Sequence, residues 1–287
     1  MTRVAAIDLG TNDTRLLVAD VEDGRVEEVQ RRTHITKLGE GVDARKRLLP
    51  VPIARVRNVL VDYRRELESL GAERTLAVAT SAVRDADNGE AFLGEIEWSY
   101  GFKTLLLSGD EEAAMTLLGV GPLDPGTVVI DVGGGSTELI TDGFRTSLNI
   151  GSVRLTERFG IHQGQAAAYI RELLPELEVT RALGVDGTTA ELAGLGGSAI
   201  VSAATIDDTL EWLAVSDEEE RRSRLIQPDR SEVLAAGVLI LRETLRHLGL
   251  DEIQASDRDL LNGAALAAAA MPEPVEGDAP PGAYTCC

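Results

Sequence analysis

The sequence predicts an α/β protein of two duplicated domains, each a sheet layered with helices. Three observations predict it. Strand-like apolar runs alternate with segments of helical period from the first residues onward, the pattern of helices laid on a sheet. A cluster of chain breakers, Pro122-Leu123-Asp124-Pro125-Gly126, interrupts the chain near its middle. The stretch after it repeats the beginning: Ile7, Asp8, Gly10, Thr14 and Leu16 match Ile130, Asp131, Gly133, Thr137 and Leu139 at a single offset of 123 residues. So long an offset marks two related domains and not a solenoid, and 287 residues suffice for two modest cores.

The elements follow in order. Val4 to Asp8 and Thr14 to Asp20 are apolar strands, Asp23-Gly24 is a hairpin turn, and Arg25 to Thr33 is a third strand carrying Val26 and Val29. The helical run PIARVRNVLVDYRRELESLG closes at Gly71, the strand TLAVAT covers 75–80, Ser81 is placed as the cap of the next helix, and FKTLLLS at 102–108 is again a strand. Beyond the repeat, a helix is expected near 165–178 and a glycine-rich stretch, ELAGLGGS, at 191–198. A helix SEVLAAGVLILRETLRHLG follows, capped by Ser231 and closed by Gly249. The strand EIQAS and the small-residue helix DLLNGAALAAAA finish the fold. The expected domains are 1–121, completed by a helix within 256–271, and 122–255, with residues 272–287 a disordered tail.

Composition narrows the function. A formal net charge of −20 disfavours nucleic acid and anionic membrane as partners. No apolar run approaches the ~20 residues needed to span a bilayer, and the start leads straight into a strand, so a soluble, cytoplasmic protein is expected. The two cysteines, Cys286 and Cys287, are adjacent in the tail and close no loop, which fits a reducing compartment. The three histidines are scattered, and the metalloprotease, nucleophile-elbow and P-loop patterns do not occur.

The repeated strand, Asp, turn and strand carries the chemistry. A glycine-containing hairpin turn exposes several backbone N–H groups, a nest for phosphate oxygens, and an Asp at the strand end can hold a cation or its waters. Gly10, Thr11 and Asn12 in the first loop, and Gly133, Gly134, Gly135, Ser136 and Thr137 in the second, are therefore candidate phosphate contacts, with Asp8 and Asp131 as candidate metal ligands. Two ordinary hairpins are the competing explanation; matched Asp, Gly and Thr in both argue against it. In SGDEEA, Ser108 and Glu111 have capping-box spacing, which leaves Glu112 as the unassigned acid of a helix's first turn. By residue type alone Glu112 simply complements the helix dipole. Arg84 is a cation in a first helical turn, which the dipole disfavours; it either receives an anion with the free N–H groups or pairs with Asp85, Asp87 or Glu90.

The ordered motifs IDLGTNDTR, VATSAVRDADN, SGDEEA, VIDVGGGSTE, IGSVRLTERF and SDRDLLNGAAL resemble the exopolyphosphatase/guanosine pentaphosphate phosphohydrolase (Ppx/GppA) family over nearly all of residues 3–270. The resemblance implies two RNase H-like domains of the actin-like ATPase superfamily with an interdomain cleft. It implies release of terminal phosphate from polyphosphate or from guanosine pentaphosphate, with Mg2+ (or Mn2+) as cofactor, and a possible homodimer. It places the base that activates water at Glu112 and a phosphate-binding arginine at Arg84. Arg15 follows the first loop as a further phosphate contact, and its counterpart Glu138, with Asp131, is a catalytic candidate for ordering a metal-bound water.

Some residues depart from the family pattern. The stretch between Gly197 and Arg230 is shorter than usual by about a helix and a strand, Ala114 stands where many relatives carry Arg, and the extra C-terminal domains of long members do not occur. Short polyphosphate chains are therefore the expected substrate. GLGGS at 194–198 reads either as a turn near a nucleotide or as a helix entry. The basic residues Arg31, Arg32, His34, Lys37, Arg45, Lys46 and Arg47 read as a solvated face. Asp13 occupies a position where relatives carry a small hydroxyl residue; with the shortened second domain it leaves a non-catalytic phosphate or polyphosphate sensor open, and a kinase or ATPase of the same superfamily is a further alternative that the resemblance disfavours.

Overall fold

The computed structural model describes residues 1–160 and 162–272; the tail from 273 onward, with Cys286 and Cys287, lies outside them. The chain divides into two compact units. One comprises Met1–Gly121 and the chain from Leu260, the other Pro122–Asp259. Each contains one mixed sheet, and the two sheets share a strand order.

In the first unit, β1 (Thr2–Leu9), β2 (Asp13–Glu22) and β3 (Arg25–Ile35) form an antiparallel meander. Asp23 and Gly24 both take positive φ, 49° and 76°, the left-handed pair that matches a two-residue hairpin turn to strand twist. A short helix α1 (Val42–Arg45), the long α2 (Pro50–Leu70), β4 (Arg74–Ala79), the turn-length α3 (Ser81–Arg84), α4 (Gly89–Tyr100), β5 (Lys103–Leu106) and α5 (Gly109–Val120) follow. β4 and β5 add in parallel, giving the order β3-β2-β1-β4-β5.

Alternation along β1 assigns the faces. Ala5, Ile7 and Leu9 pack under α2, whose Val56, Leu60, Tyr63 and Leu67 recur at helical spacing and are buried. Val4 and Ala6, with Leu17, Ala19, Leu76 and Val78, form the opposite face, covered by Leu260, Leu261, Ala264, Ala265 and Ala268 of the helix Leu260–Ala270. Asp8 shares the parity of Val4 and Ala6, so β1 delivers its carboxylate to the face that α5 and this helix cover.

The second unit repeats the plan with β6 (Thr127–Val132), β7 (Thr137–Ile140), β8 (Arg145–Leu148), α6 (Ser152–Phe159), α7 (Gln163–Leu173), β9 (Arg181–Gly184) and α8 (Gly187–Gly196). The chain continues through β10 (Ile200–Ser202), α9 (Ala203–Val215), α10 (Glu218–Arg224), α11 (Ser231–Leu248) and β11 (Glu252–Ala255). The order β8-β7-β6-β9-β11, extended at its edge by β10, matches β3-β2-β1-β4-β5 strand for strand. The duplicated α/β architecture expected from the sequence is thus present in both sheets.

Several local expectations are corrected. Thr80, not Ser81, is the cap position of α3, and it makes no side-chain cap bond. Ser231 caps nothing: the 3₁₀ turn Pro228–Arg230 runs directly into α11, Arg230 is already helical, and the Ser231 hydroxyl donates to Glu218 at 2.6 Å. The helix expected to reach residue 178 stops at Leu173, because Leu174 precedes Pro175 and is extended. GLGGS is not a helix entry but the exit of α8, with Gly197 left-handed at φ 66° as its cap. Among the described residues no helix is long and apolar enough to cross a membrane.

Candidate active site

β1 ends at Leu9 and β2 starts at Asp13, which leaves Gly10-Thr11-Asn12 as the first loop. A Cβ on Gly10 would lie 2.9 Å from the Asp13 carbonyl oxygen, and one on Gly133 would lie 3.0 Å from that of Ser136. Both loops therefore close so tightly that only glycine fits at the first turn position.

The carbonyls of each loop are held by later segments of the same unit. Asn12 O accepts from the backbone N–H groups of Thr36 (3.0 Å) and Lys37 (2.8 Å), and Thr11 O from that of Gly39 (2.8 Å). In the second loop Gly133 O accepts from Ser152 N–H (2.9 Å), Gly134 O from those of Val153 and Arg154, and Gly135 O from Arg154 Nε at 2.7 Å. With the carbonyls occupied, the N–H groups of Thr11, Asn12, Gly134, Gly135 and Ser136 have no acceptor among the described residues. Rows of unsatisfied N–H groups on tight turns bind anions. Asn12 is 4% exposed, and neither its Nδ2 nor its Oδ1 has a partner among the described residues, whereas buried amides are ordinarily hydrogen-bonded.

The cross-strand neighbours of the two loops differ in charge. Asp8 stands opposite Arg15, and its Oδ2 accepts from Arg15 Nε at 2.9 Å and Nη2 at 2.7 Å. Asp13 turns toward the same guanidinium, with Oδ1 3.8 Å from Arg15 Nε. In the second unit Asp131 stands opposite Glu138, an acid facing an acid. Glu138 is buried, and its Oε1 accepts from Ser147 Oγ on β8 at 2.6 Å. Thr137, expected to touch phosphate, instead donates its hydroxyl proton to Ile150 O at 2.6 Å; with its single proton spent there, it braces the loop.

α5 presents Glu112. Ser108 caps the helix, and Glu111 completes the capping box by accepting from Ser108 N–H at 2.8 Å. That leaves the next carboxylate, Glu112, 7% exposed. Its Oε2 accepts from Arg84 Nη1 at 3.2 Å, while the same nitrogen donates to Leu107 O at 2.6 Å. Arg84 thus pairs with Glu112, and not with Asp85, Asp87 or Glu90. Burial pushes the Glu112 carboxyl up to about 7, Arg84 opposes that rise, and the Asp8 charge adds to it.

The charge balance bears on a cation. In the first unit Arg15 and Arg84 face three carboxylates, Asp8, Asp13 and Glu112, so bound phosphate needs positive charge from elsewhere. In the second unit Asp131 and Glu138 present hard oxygen donors on adjacent strands. That donor set fits Mg2+ or Mn2+, which use one or two carboxylates and complete their shells with water and phosphate oxygens. Among the described residues no three His, Cys, Asp or Glu side chains group as a metal site, consistent with such a sparse protein contribution.

Residue-type reasoning missed the braces. Tyr63 on α2 donates its hydroxyl to Thr14 O at 2.8 Å, and burial pushes its phenol up. Thr36 meets Thr14 hydroxyl to hydroxyl at 2.9 Å. Gly151 lies so close to the backbone of Gly134 and Gly135 that any side chain would collide with it. The motif IGSVRLTERF contained Gly151, Ser152 and Arg154, but its contacts with the loop are tertiary and invisible in spacing.

Comparisons with known proteins give the family and the fold. A model of the Ppx/GppA phosphatase family matches residues 17–269. The chain is 35% identical to exopolyphosphatase 2 of Mycobacterium tuberculosis, across 94% of this chain and 99% of that one. It is 29% identical to a guanosine-5'-triphosphate,3'-diphosphate pyrophosphatase of Vibrio vulnificus, across 91% of this chain and 58% of that one. A crystal structure of the Aquifex aeolicus Ppx/GppA family member superposes with a TM-score of 0.73 at 27% identity, covering 93% of this chain and 97% of that one.

Proposed function

The chain belongs to the Ppx/GppA phosphatase family, and from that premise we propose that it hydrolyses the terminal phosphoanhydride bond of inorganic polyphosphate. One observation carries the reading: a buried carboxylate held near neutrality, Glu112, is paired with an arginine in the unit whose first loop offers N–H groups to an anion. A base poised near the working pH is what general-base activation of water requires.

In this reading Thr11 and Asn12 N–H groups, the Asn12 amide, Arg15 and Arg84 receive phosphoryl oxygens, and the second unit carries a row of N–H groups of the same kind at Gly134, Gly135 and Ser136. Glu112 aligns a water and takes its proton as the water oxygen bonds to phosphorus. The bridging oxygen leaves with the electron pair on the shortened chain, and orthophosphate is released. Asp131 and Glu138 would hold the divalent cation, with Ser147 fixing the Glu138 carboxylate. When bound, a divalent cation supplies positive charge to phosphoryl oxygens.

The similarity to the Vibrio vulnificus enzyme supports a second substrate, guanosine pentaphosphate, with the same attack on a terminal phosphate. Phosphate release measured side by side on short polyphosphate, long polyphosphate, guanosine pentaphosphate and ATP, with Mg2+ present, separates the two. Fastest turnover on polyphosphate is expected; exclusive turnover of the nucleotide transfers the assignment, and release from neither overturns both.

A further inference from the structure

Residues 37–47 of the first unit begin against the first loop and end at the turn after α3. Lys37 and Gly39 N–H groups hold the Asn12 and Thr11 carbonyls, and the Gly39 backbone lies against the side chains of Thr11 and Ala82, the latter on α3 with Arg84. The far end of the segment is fastened to the turn after α3: Asp87 N–H donates to Lys46 O at 2.8 Å, and Asn88 bonds both backbone groups of Leu48. Buried Leu38, Val42 and Leu48 anchor the segment in the core. It is therefore a fixed wall running from the loop to the arginine turn.

The outward side of that wall is basic. Arg45-Lys46-Arg47 is the one run of three consecutive cations in a chain of net charge −20, and all three are exposed. Lys46 approaches Asp43 at 3.8 Å, and among the described residues no carboxylate pairs with Arg45 or Arg47. The nearby Glu40 is engaged by Arg55 at 2.6 Å. Lys46 also sits at φ 51°, a left-handed helix cap where glycine or asparagine is the unstrained choice. An isolated positive stretch on an acidic surface acts over about 8 Å at physiological salt, enough to hold a polyanion already anchored next to it.

We propose that Arg45, Lys46 and Arg47 form a subsite for the phosphates beyond the third from the reacting end of a linear polyphosphate whose end occupies the first loop. This rests on the reaction assigned above and extends it: the subsite selects an extended inorganic polyanion over a compact one. Neutralising these cations should therefore affect long substrates and spare short ones.

The test is the triple variant Arg45→Gln, Lys46→Asn, Arg47→Gln, with asparagine chosen because it tolerates the left-handed cap. A charge-matched control, Arg57→Gln, Arg65→Gln, Arg222→Gln, removes three cations elsewhere. For long-chain polyphosphate the triple variant should raise KM by about tenfold or more at unchanged kcat, leave tripolyphosphate kinetics unaltered, and flatten the dependence of log KM on log salt by about two, as expected when two or three phosphate contacts disappear. The control should move neither. Equal long-chain KM and salt slope in wild type and triple variant overturn the proposal. Direct binding of long-chain polyphosphate is measured in parallel: if wild type releases no phosphate, the assigned reaction fails, while weakened binding by the triple variant still supports the subsite and equal binding overturns it.

Discussion

Arg84 holds Glu112 at 3.2 Å through a nitrogen that also donates to the Leu107 carbonyl. The pair sets the acidity of the proposed base, since burial raises the carboxyl and the guanidinium opposes it. Replacing Arg84 by Gln removes that opposition. The midpoint of the kcat/KM against pH profile is expected to move upward from near 7, with KM rising as a phosphate contact is lost; an unmoved midpoint would separate the two residues functionally.

Glu112→Gln keeps the shape and removes the base. Phosphate release should fall by a factor of about 100 to 10,000, while far-UV circular dichroism and substrate binding stay near wild type. Turnover within a few-fold of wild type would remove Glu112 from the chemistry.

The same carboxyl links stability to pH, with a definite sign. Folded Glu112 keeps its proton to about 7, whereas the unfolded side chain releases it near 4.5. Between those values the native state binds more protons, so stability is full below the lower value and declines as pH rises through the upper one, by about 3 kcal/mol. Urea midpoints at pH 5 and pH 8 should show that loss in wild type, and Glu112→Gln should lose its share of it.

Asp13 lies within the loop's own charge pairing, beside Arg15. Asp13→Ser removes one carboxylate from the surroundings of Arg15 and a negative charge beside the loop proposed to bind phosphate, where at a few ångströms the repulsion is about 1 to 4 kcal/mol. KM for polyphosphate is therefore expected to fall several-fold, read most cleanly at low salt. A rise in KM, accompanied by weaker metal dependence, would instead mark Asp13 as a cation ligand.

Gly151→Ala drives a methyl group into the Gly134-Gly135 backbone. Overpacking of this kind costs about 1 to 3 kcal/mol, and the second loop should lose its shape, lowering kcat/KM more than the global stability alone would explain. Comparison of thermal midpoint with activity at low temperature distinguishes the two effects.

Chelation with EDTA should abolish phosphate release and Mg2+ restore it. Glu138→Gln should raise the Mg2+ concentration needed for half-maximal activity, by about 10-fold or more, and Ser147→Ala should raise it less, because it loosens the carboxylate without removing it.

The readable parts of this protein were those with periodicity or duplication behind them. Ile7, Asp8, Gly10 and Thr14 announced themselves because the same residues recur at Ile130, Asp131, Gly133 and Thr137, and the capping box at Ser108 and Glu111 isolated Glu112. Tertiary pairings were not readable: nothing local links Asn12 to Thr36 or Gly135 to Arg154, and Arg84 had three nearer acids in sequence than the one it meets. Side-chain caps failed for a different reason: at Ser231 a preceding 3₁₀ turn feeds the helix without the extended residue a cap needs, and at Ser81 the boundary falls one residue earlier, at Thr80. Thr137 shows the limit for hydroxyls, whose single proton goes to whichever acceptor the fold brings close.

The helix Leu260–Ala270 covers one face of a sheet whose first strand begins at Thr2. During synthesis that face, with Val4, Ala6, Leu17 and Leu76, must wait for some 200 further residues, while the second unit is contiguous and can close as it leaves the ribosome. The first phosphate loop, assembled from residues 10–39, is thus local in its bonds yet late in its support. A nascent chain stalled before Leu260 would carry a folded second unit beside an open apolar sheet face, the form in which this protein is most exposed to aggregation and proteolysis.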